Sequence, residues 1–279
     1  MKKYTYPSVL TIAGFDGSGG AGIQADIKTA SALGCFSTSV LTALPVQNTQ
    51  GVRTIYPIDI ARRPHEYQIE AILDDIFPDA IKIGMVHTPQ LVETIVSTLG
   101  KYKKIPLVFD PVMVATSGHR LIEEDTISAI TEQLFPIADV VTPNMDEAAI
   151  LAKMKVKTVE DLYAAGKEIK KLGCKSILLK GGHQETSTIT SLFYDEHEKY
   201  HSFETKKFST NNTHGSGCTL SSAIAAYLAQ GKTLYDSVSL GQQYVYQAIE
   251  NGKDAQTGLG NGPLNHFFNP QKLIKNEMV

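Results

Sequence analysis

Short apolar runs alternate with amphipathic stretches along most of the chain. The runs rich in β-branched residues predict strands at 8–14, 36–44, 52–58, 79–85, 106–110, 138–142 and 176–181. The stretches with helical spacing predict helices that end near 33, begin at Pro89, or span 64–76, 123–135, 145–153 and 158–171. A repeated strand–helix–strand order predicts an α/β fold, with a mostly parallel central sheet and helices on both faces.

The pattern changes after the last of these strands. Residues 187–209 read as paired strands around the polar turn at 196–198, which predicts a late β-hairpin. Two helices, at 216–230 and 233–250, follow. Because the chain has no repeat and no low-complexity linker, we expect a single domain over residues 1–279.

Polar and glycine-rich segments follow several of the predicted strands. Ligands of such sheets bind at the carboxyl ends of the strands. We therefore expect one site at that edge, built from GFDGSGGAG, PVQNTQG, GMVH, DPVM, TPNMDE and GGH.

Composition and charge argue against several classes of function. A formal net charge of -3 and a pI near 6.2 leave no basic surface for a nucleic acid, so none is expected as a partner. The apolar stretch before Gly14 is too short for a signal peptide or a membrane span. Three widely spaced cysteines fit a reduced compartment, and we expect a cytoplasmic protein without a membrane partner.

The first glycine loop, residues 17–22, matches the G-x-G-x-x-G pattern between a strand and a helix. That context is typical of dinucleotide-binding folds and makes an NAD-dependent oxidoreductase an alternative. The acidic residue that such folds place at the end of the next strand is missing from TALPVQNTQG. A glycine loop that lets a substrate ring approach the backbone is the better interpretation.

A second loop, NTHGSGC, precedes the apolar helix at 216–230. We call residues 213–218 the anion loop. Gly215 and Gly217 allow successive backbone amides around Ser216 to point into one concavity, where the positive end of the helix would attract a phosphoryl group. The alternative is an ordinary helix start capped by Ser216 or Thr213.

Cys218 lies in the first turn of that helix. Helix amides lower the pKa of a thiol there, so we expect a thiolate fraction near neutral pH that acts as a proton acceptor or as a covalent nucleophile. Cys35 and Cys174 lie beside apolar positions and are predicted to be small buried residues.

Taken in order, AGFDGSGGAGIQADIKT, TALPVQNTQGV, KIGMV, DPVMVATSG, VTPNMDEA, LLKGGH, NTHGSGCTLSSAIAAYLAQG and GNGPLNHFF resemble the bacterial hydroxymethylpyrimidine/phosphomethylpyrimidine kinases of thiamine biosynthesis. These enzymes belong to the ribokinase-like superfamily, and the resemblance covers about residues 8–268. It implies an ATP- and Mg²⁺-dependent homodimer with a ribokinase-like fold. Such an enzyme phosphorylates the hydroxymethyl group of 4-amino-5-hydroxymethyl-2-methylpyrimidine and then phosphorylates that monophosphate.

The resemblance also implies roles for individual residues. Gly215, Ser216 and Gly217 correspond to the anion hole, and Cys218 stands where most of the superfamily has a catalytic aspartate. Gln47 corresponds to the residue that reads the aminopyrimidine; its amide offers both a donor and an acceptor. The substrate pocket would be completed by Asp26, Gly14, Met85 and Val112.

The same resemblance places Asn144 and Glu147 around Mg²⁺, directly or through water. The nucleotide would contact Asp110, Asn144, Lys180 and Thr213. Pyridoxal kinase, alone or as a second activity, is the nearest alternative. Dual-purpose relatives place an aldehyde-capturing cysteine where this chain has Ala115, so the sequence favours the pyrimidine.

Overall fold

The computed structural model describes residues 3–113, 122–182 and 187–278. Its strands are β1 (Tyr4–Thr5), β2 (Ser8–Ala13), β3 (Phe36–Leu41), β4 (Ala43–Asn48), β5 (Gly51–Pro57), β6 (Ala80–Ile83), β7 (Leu107–Phe109), β8 (Val140–Val141), β9 (Ile177–Leu179), β10 (Thr188–Tyr194), β11 (Tyr200–Lys206) and β12 (Asn276–Glu277). Its α-helices are α1 (Gly22–Ala32), α2 (Pro64–Asp75), α3 (Pro89–Leu99), α4 (Glu124–Ala129), α5 (Met145–Ala152), α6 (Val159–Lys170), α7 (Ser216–Ala229) and α8 (Leu234–Gly252). A π-helical segment, Ile130–Leu134, continues α4.

Within the described residues, the central sheet has eight strands in the order β11-β10-β9-β8-β7-β6-β2-β3. The strands from β9 to β3 are parallel, whereas β10 pairs antiparallel with both β9 and β11. The predicted α/β fold with a late hairpin is therefore confirmed. Parallel pairing brings the carboxyl ends of β2, β6, β7, β8 and β9 to one edge of the sheet.

The prediction of a single strand at 36–44 is wrong. β3 ends at Leu41, and β4 then leaves the central sheet and pairs antiparallel with β5. Thr42 marks the break: its amide donates to the Ala13 carbonyl, and its hydroxyl donates to the Met85 carbonyl at 2.8 Å. The apolar run continues through this turn, so the sequence pattern alone did not show where the chain leaves the sheet.

Helices cover both faces of the sheet, and each face has its own apolar core. Helices α2 to α6 pack on one face, where Ile81 and Ile83 of β6 are buried. Helices α1, α7 and α8 pack on the other, where Ala80 of the same strand is buried. Since side chains alternate along a strand, Lys82 points to the α1 and α7 side. Burial of each large apolar side chain contributes about 1.5–3 kcal/mol to this framework.

None of the helices in the described part of the chain is long and apolar enough to cross a membrane.

Candidate active site

A cavity of about 370 Å³ opens at the carboxyl edge of the parallel strands. The β4–β5 hairpin and the start of α7 both line it. The structure brings almost all of the predicted site residues to this cavity: Gly14, Gln47, Met85, Asp110, Val112, Asn144, Glu147, Lys180, Thr213, Gly215, Ser216, Gly217 and Cys218. Ala115 lies outside the described residues.

Asp26 is the exception, since it does not appear among the lining residues that the structure describes. Its side chain is buried behind the wall, where Thr11 and Ser222 donate hydroxyl hydrogen bonds to the carboxylate at 2.5 and 2.6 Å. The Lys82 ammonium forms an ion pair with it at 2.7 Å. Asp26 therefore contacts the cavity only through Lys82, which lines the cavity and was missed in the sequence. A lone lysine inside the apolar run DAIKIGM was the available signal.

The anion loop has the conformation that its glycines suggest. Gly215 has a φ of +80°, and a Cβ atom there would lie 1.7 Å from the Gly20 carbonyl oxygen. Helix α7 begins at the next residue, and no side chain among the described residues caps its start. The alternative of a side-chain cap by Ser216 or Thr213 is thus not formed. The Ser216 amide donates to the Thr213 carbonyl at 3.1 Å, whereas the amides of Gly217 and Cys218 have no backbone acceptor among the described residues and are available to a ligand in the cavity.

Asp16 joins the first glycine loop to the anion loop. Its carboxylate accepts hydrogen bonds from the amides of Gly20 and Ala21 at 3.1 and 2.7 Å and from the Ser18 hydroxyl at 2.7 Å. His214 Nε2 lies 2.8 Å from the same carboxylate. Burial opposes ionisation of Asp16, yet the hydrogen bonds from His214 and Ser18 prevail and hold its pKa well below the ordinary value. The role of His214 is therefore to fasten the two loops together.

We expect Asp16→Asn to lower the free energy of unfolding by about 2 kcal/mol at neutral pH, because buried donors lose their ionised acceptor. A carboxylate with a depressed pKa stabilises the fold above its unfolded-state value of 3.8, and this contribution is lost as pH falls through lower values. In urea titrations the gap between wild type and variant should narrow below about pH 4. The exposed Asp254→Asn change is the matched control; an equal gap at all pH values would contradict the assignment.

The environment of Cys218 differs from the sequence-based expectation. The residue keeps part of its surface open to the cavity, but protein surrounds it closely. Burial raises the pKa of the Cys218 thiol to about 11, against the opposing effect of Lys82 and of the Gly22 amide. Desolvation of the thiolate therefore outweighs these two groups, and the expected thiolate fraction in the free protein is wrong. Cys35 and Cys174 are buried, as predicted.

Lys180 and Asp110 form a buried ion pair beside the anion loop. Lys180 Nζ lies 2.7 Å from Asp110 Oδ1, and the Thr142 hydroxyl donates to the same oxygen at 3.0 Å. A Cβ atom on Gly217 would lie 3.2 Å from that ammonium. Although burial opposes the charged form, Asp110 prevails and raises the pKa of Lys180. The start of α7 therefore lies against both charges of the pair, with the ammonium the nearer to Gly217.

Asn144 and Glu147 form a capping box at the start of α5. The Asn144 side chain accepts from the Glu147 amide at 2.9 Å, and Glu147 accepts from the Asn144 amide at 2.7 Å. Burial raises the pKa of Glu147 to about 7, against the opposing effect of Lys180. Both side chains line the cavity on the side of Lys180 and therefore offer oxygen donors there.

Gln47 lies at an irregularity in the β4–β5 hairpin. The register shifts between Val46 and Gln47, as in a β-bulge, which re-aims the side chains that follow. Gln47 lines the cavity together with the apolar residues Met85 and Val112. Asn261 also lines the cavity and was not identified from the sequence; its backbone amide donates to the Thr49 carbonyl at the hairpin tip.

Comparison with known proteins agrees with this architecture. Residues 16–265 match the family described as phosphomethylpyrimidine kinase. A crystal structure of phosphomethylpyrimidine kinase from Clostridium difficile is 40% identical, with a TM-score of 0.75 over 87% of this chain and 99% of that one. Pyridoxal kinase from Staphylococcus aureus, in complex with AMP-PCP and pyridoxal, is 31% identical, with a TM-score of 0.85 over 98% of this chain and all of its own.

Two curated relatives differ in length. The hydroxymethylpyrimidine/phosphomethylpyrimidine kinase of Rhizobium meliloti is 41% identical over 92% of this chain and 96% of its own. The probable thiamine biosynthetic bifunctional enzyme of Oryza sativa is 41% identical over 96% of this chain but only 49% of its own. The chain spans about half the length of that enzyme and of two further bifunctional relatives. From the match over residues 16–265, the chain belongs to the phosphomethylpyrimidine kinase family.

Proposed function

We propose that the protein phosphorylates the hydroxymethyl group of 4-amino-5-hydroxymethyl-2-methylpyrimidine with ATP and then phosphorylates the resulting monophosphate. One observation carries this proposal. A single cavity is lined by the start of α7, which no described side chain caps, by Cys218, and by the Gln47 bulge with the apolar residues Met85 and Val112. The names of the curated relatives support it. The names of these relatives also disfavour the NAD-dependent alternative, which would need an acidic residue at the end of the strand after the first glycine loop, where TALPVQNTQG has none.

The anion loop accounts for the transfer chemistry. Phosphoryl transfer passes through a loose transition state, so positioning and charge neutralisation matter most. The amides at the start of α7 and the Lys180 ammonium converge on one place in the cavity. We assign that place to the terminal phosphate of ATP. Solved pyridoxal kinases in complex with ADP or AMP-PCP support nucleotide use in this fold.

Asn144, Glu147 and Asp110 fit a magnesium ion. Carboxylate and amide oxygens are the ligands that Mg²⁺ prefers, and it retains several waters. Glu147 is buried and forms no ion pair with any described residue, although Lys180 acts on it from nearby, and a divalent cation close to it would stabilise its ionised form. When bound, the ion would neutralise charge on the phosphates. Glu147 would act by holding its waters, because both of its oxygens already accept backbone hydrogen bonds.

Cys218 is assigned as the acceptor of the alcohol proton. Its neutral thiol in the free protein does not take up a proton, so the thiolate must form when the substrates fill the cavity. Lys82 and the Gly22 amide are the groups that favour the thiolate there. Because the nucleophile needs little activation in a loose transition state, a small thiolate fraction suffices.

Gln47 is assigned to recognition of the aminopyrimidine edge. In Gln47→Ala we expect the Michaelis constant for the pyrimidine alcohol to rise about 10- to 100-fold, because donor and acceptor groups of the ring lose their partners. The Michaelis constant for ATP should stay unchanged. Gln90→Ala, at an exposed position on α3, is the control. An unchanged Michaelis constant for the pyrimidine would contradict the assignment of Gln47 to recognition of the ring.

The decisive assay compares the specificity constants for the hydroxymethylpyrimidine and for pyridoxal, each with ATP. A preference for the pyrimidine supports the proposal, whereas a preference for pyridoxal makes the protein a pyridoxal kinase. The structural likeness to pyridoxal kinases is the observation that keeps this second candidate. The homodimer, the cytoplasmic location and the single domain over residues 1–279 stay predictions.

A further inference from the structure

Lys82 is a fully buried lysine in the middle of a parallel strand. Lysine is rarely buried unless it is paired. Replacing a buried ion pair by apolar residues is often neutral or stabilising. The stability of the fold therefore does not explain why this position carries a charge paired with Asp26. The location of Lys82 suggests that its charge serves the function of the protein.

Lys82 lines the active-site cavity, as Cys218 does, although its side chain is 0% exposed in the free protein. A Cβ atom on Gly84 would be 2.8 Å from Lys82 Nζ and 3.1 Å from the Ala13 side chain. Gly84 and Ala13 stand at the carboxyl ends of β6 and β2, which is the edge where ligands bind. A side chain at position 84 would therefore press on the ammonium, which the glycine avoids.

Asp26 holds the ammonium in place and keeps it charged. Lys82 Nζ lies 2.9 and 2.7 Å from the two carboxylate oxygens, and Thr11 and Ser222 donate to the same carboxylate. Although burial disfavours the charged form, Asp26 prevails and raises the pKa of Lys82 above its ordinary value. An ammonium has three donors. Since Asp26 is its only recorded partner among the described residues, one donor is left for the cavity.

This inference rests on the proposed function, whose two phosphoryl transfers need different groups in the active site. In the first, the alcohol oxygen bonds to the terminal phosphorus, the bond to the ADP oxygen breaks, and one proton leaves for Cys218. In the second, the acceptor is a phosphate that is mostly a dianion above its pKa of about 6. Its oxygen bonds to phosphorus and ADP leaves, with no proton released. The second transfer therefore needs neutralisation of a negative acceptor instead of a base.

We propose that the Lys82 ammonium binds the phosphate of the pyrimidine monophosphate and so allows the second transfer. Lys180 is less suited to this task, because it lies against Gly217 and Asp110 on the side assigned to the nucleotide. Lys82 lies on β6, which β7 and β8 separate from the strand before Lys180, and it lines the cavity together with Ala13 and Gly14. One site thus combines a proton acceptor for the neutral substrate with a cation for the charged one.

The test measures kcat/KM for the alcohol and for the monophosphate separately, each with ATP, in Lys82→Met. Removal of one preorganised contact to the reacting phosphate should lower the value for the monophosphate about 100-fold. The value for the alcohol should also fall, because Lys82 favours the Cys218 thiolate, but by a smaller factor of about 10-fold. Because Lys82→Met leaves a buried carboxylate unpaired, Lys82→Met/Asp26→Asn is measured beside it, and its thermal midpoint confirms folding. The double variant should show the same selective loss.

Equal losses on both acceptors, or no loss on the monophosphate in a folded double variant, would overturn the assignment. Cys218→Ala provides the opposite comparison, since it should impair the alcohol reaction more than the monophosphate reaction. If the wild-type protein phosphorylates neither acceptor, the proposed function itself is wrong. That result is distinct from a failure of the Lys82 assignment.

Discussion

Gly215→Ala should lower kcat for the pyrimidine alcohol about 1,000-fold, because the change displaces the amides that face the migrating phosphoryl group. An alanine Cβ would lie 1.7 Å from the Gly20 carbonyl oxygen, which no side-chain rotation relieves. The φ of +80° adds strain for any residue other than glycine. Either the anion loop or the first glycine loop must move. Steady-state kinetics with ATP and the alcohol measures the effect.

Gly231→Ala is the matched control. Gly231 has a φ of +79°, and no atom of the described structure lies within 4 Å of a Cβ built there. The variant carries the same backbone strain of about 1–2 kcal/mol without the clash. We expect it to lose stability and keep its turnover. If Gly215→Ala retained normal turnover while folded, the anion loop would not hold the phosphoryl group.

Cys218→Ala should lower kcat for the alcohol about 100- to 1,000-fold, the range lost when a general base is removed. Nucleotide affinity should be unchanged, because the backbone amides of the loop remain. Cys218→Ser is the conservative comparison; it should not restore turnover, because a hydroxyl is a much weaker acid than a thiol. Unchanged turnover in Cys218→Ala would remove the proton-acceptor role.

The raised pKa of the Cys218 thiol can be tested by a second, independent measurement. Because only the thiolate reacts, alkylation of Cys218 by iodoacetamide in the free protein should keep rising with pH beyond about 9. A plateau near neutral pH would mean that the thiol is acidic in the free protein. Cys35 and Cys174 have pKa values raised to about 11 by burial, so Cys218→Ala serves to subtract their contribution.

Much of the fold could be predicted because its signals are local. β-branched runs and amphipathic stretches identified the strands of the parallel sheet, and the change at residue 187 identified the hairpin. Since parallel strands place their carboxyl ends together, the same pattern brought the loops at Gly14, Asp110, Asn144 and Lys180 to one edge. The split at Thr42 was missed because the apolar run continues while hydrogen bonds to other strands redirect the chain.

In the candidate site too, some features could be predicted from the sequence and others could not. Glycine spacing in the anion loop and the position of Cys218 before an apolar helix are visible in the chain. The pairing of His214 with Asp16 and of Lys82 with Asp26 joins residues far apart in sequence. No periodicity encodes such pairs. They depend on which helix lies over which strand.

By itself, the sequence determined the α/β architecture, the glycine loop before α7 and the presence of a cysteine in its first turn, because periodicity and glycine conformation act over a few residues. Tertiary structure alone decided that Cys218 is a neutral thiol, that Asp26 lies behind the cavity wall and that Lys82 reaches the cavity. Protonation and charge depend on burial and on partners brought close by folding. Those quantities arise only when distant segments pack together.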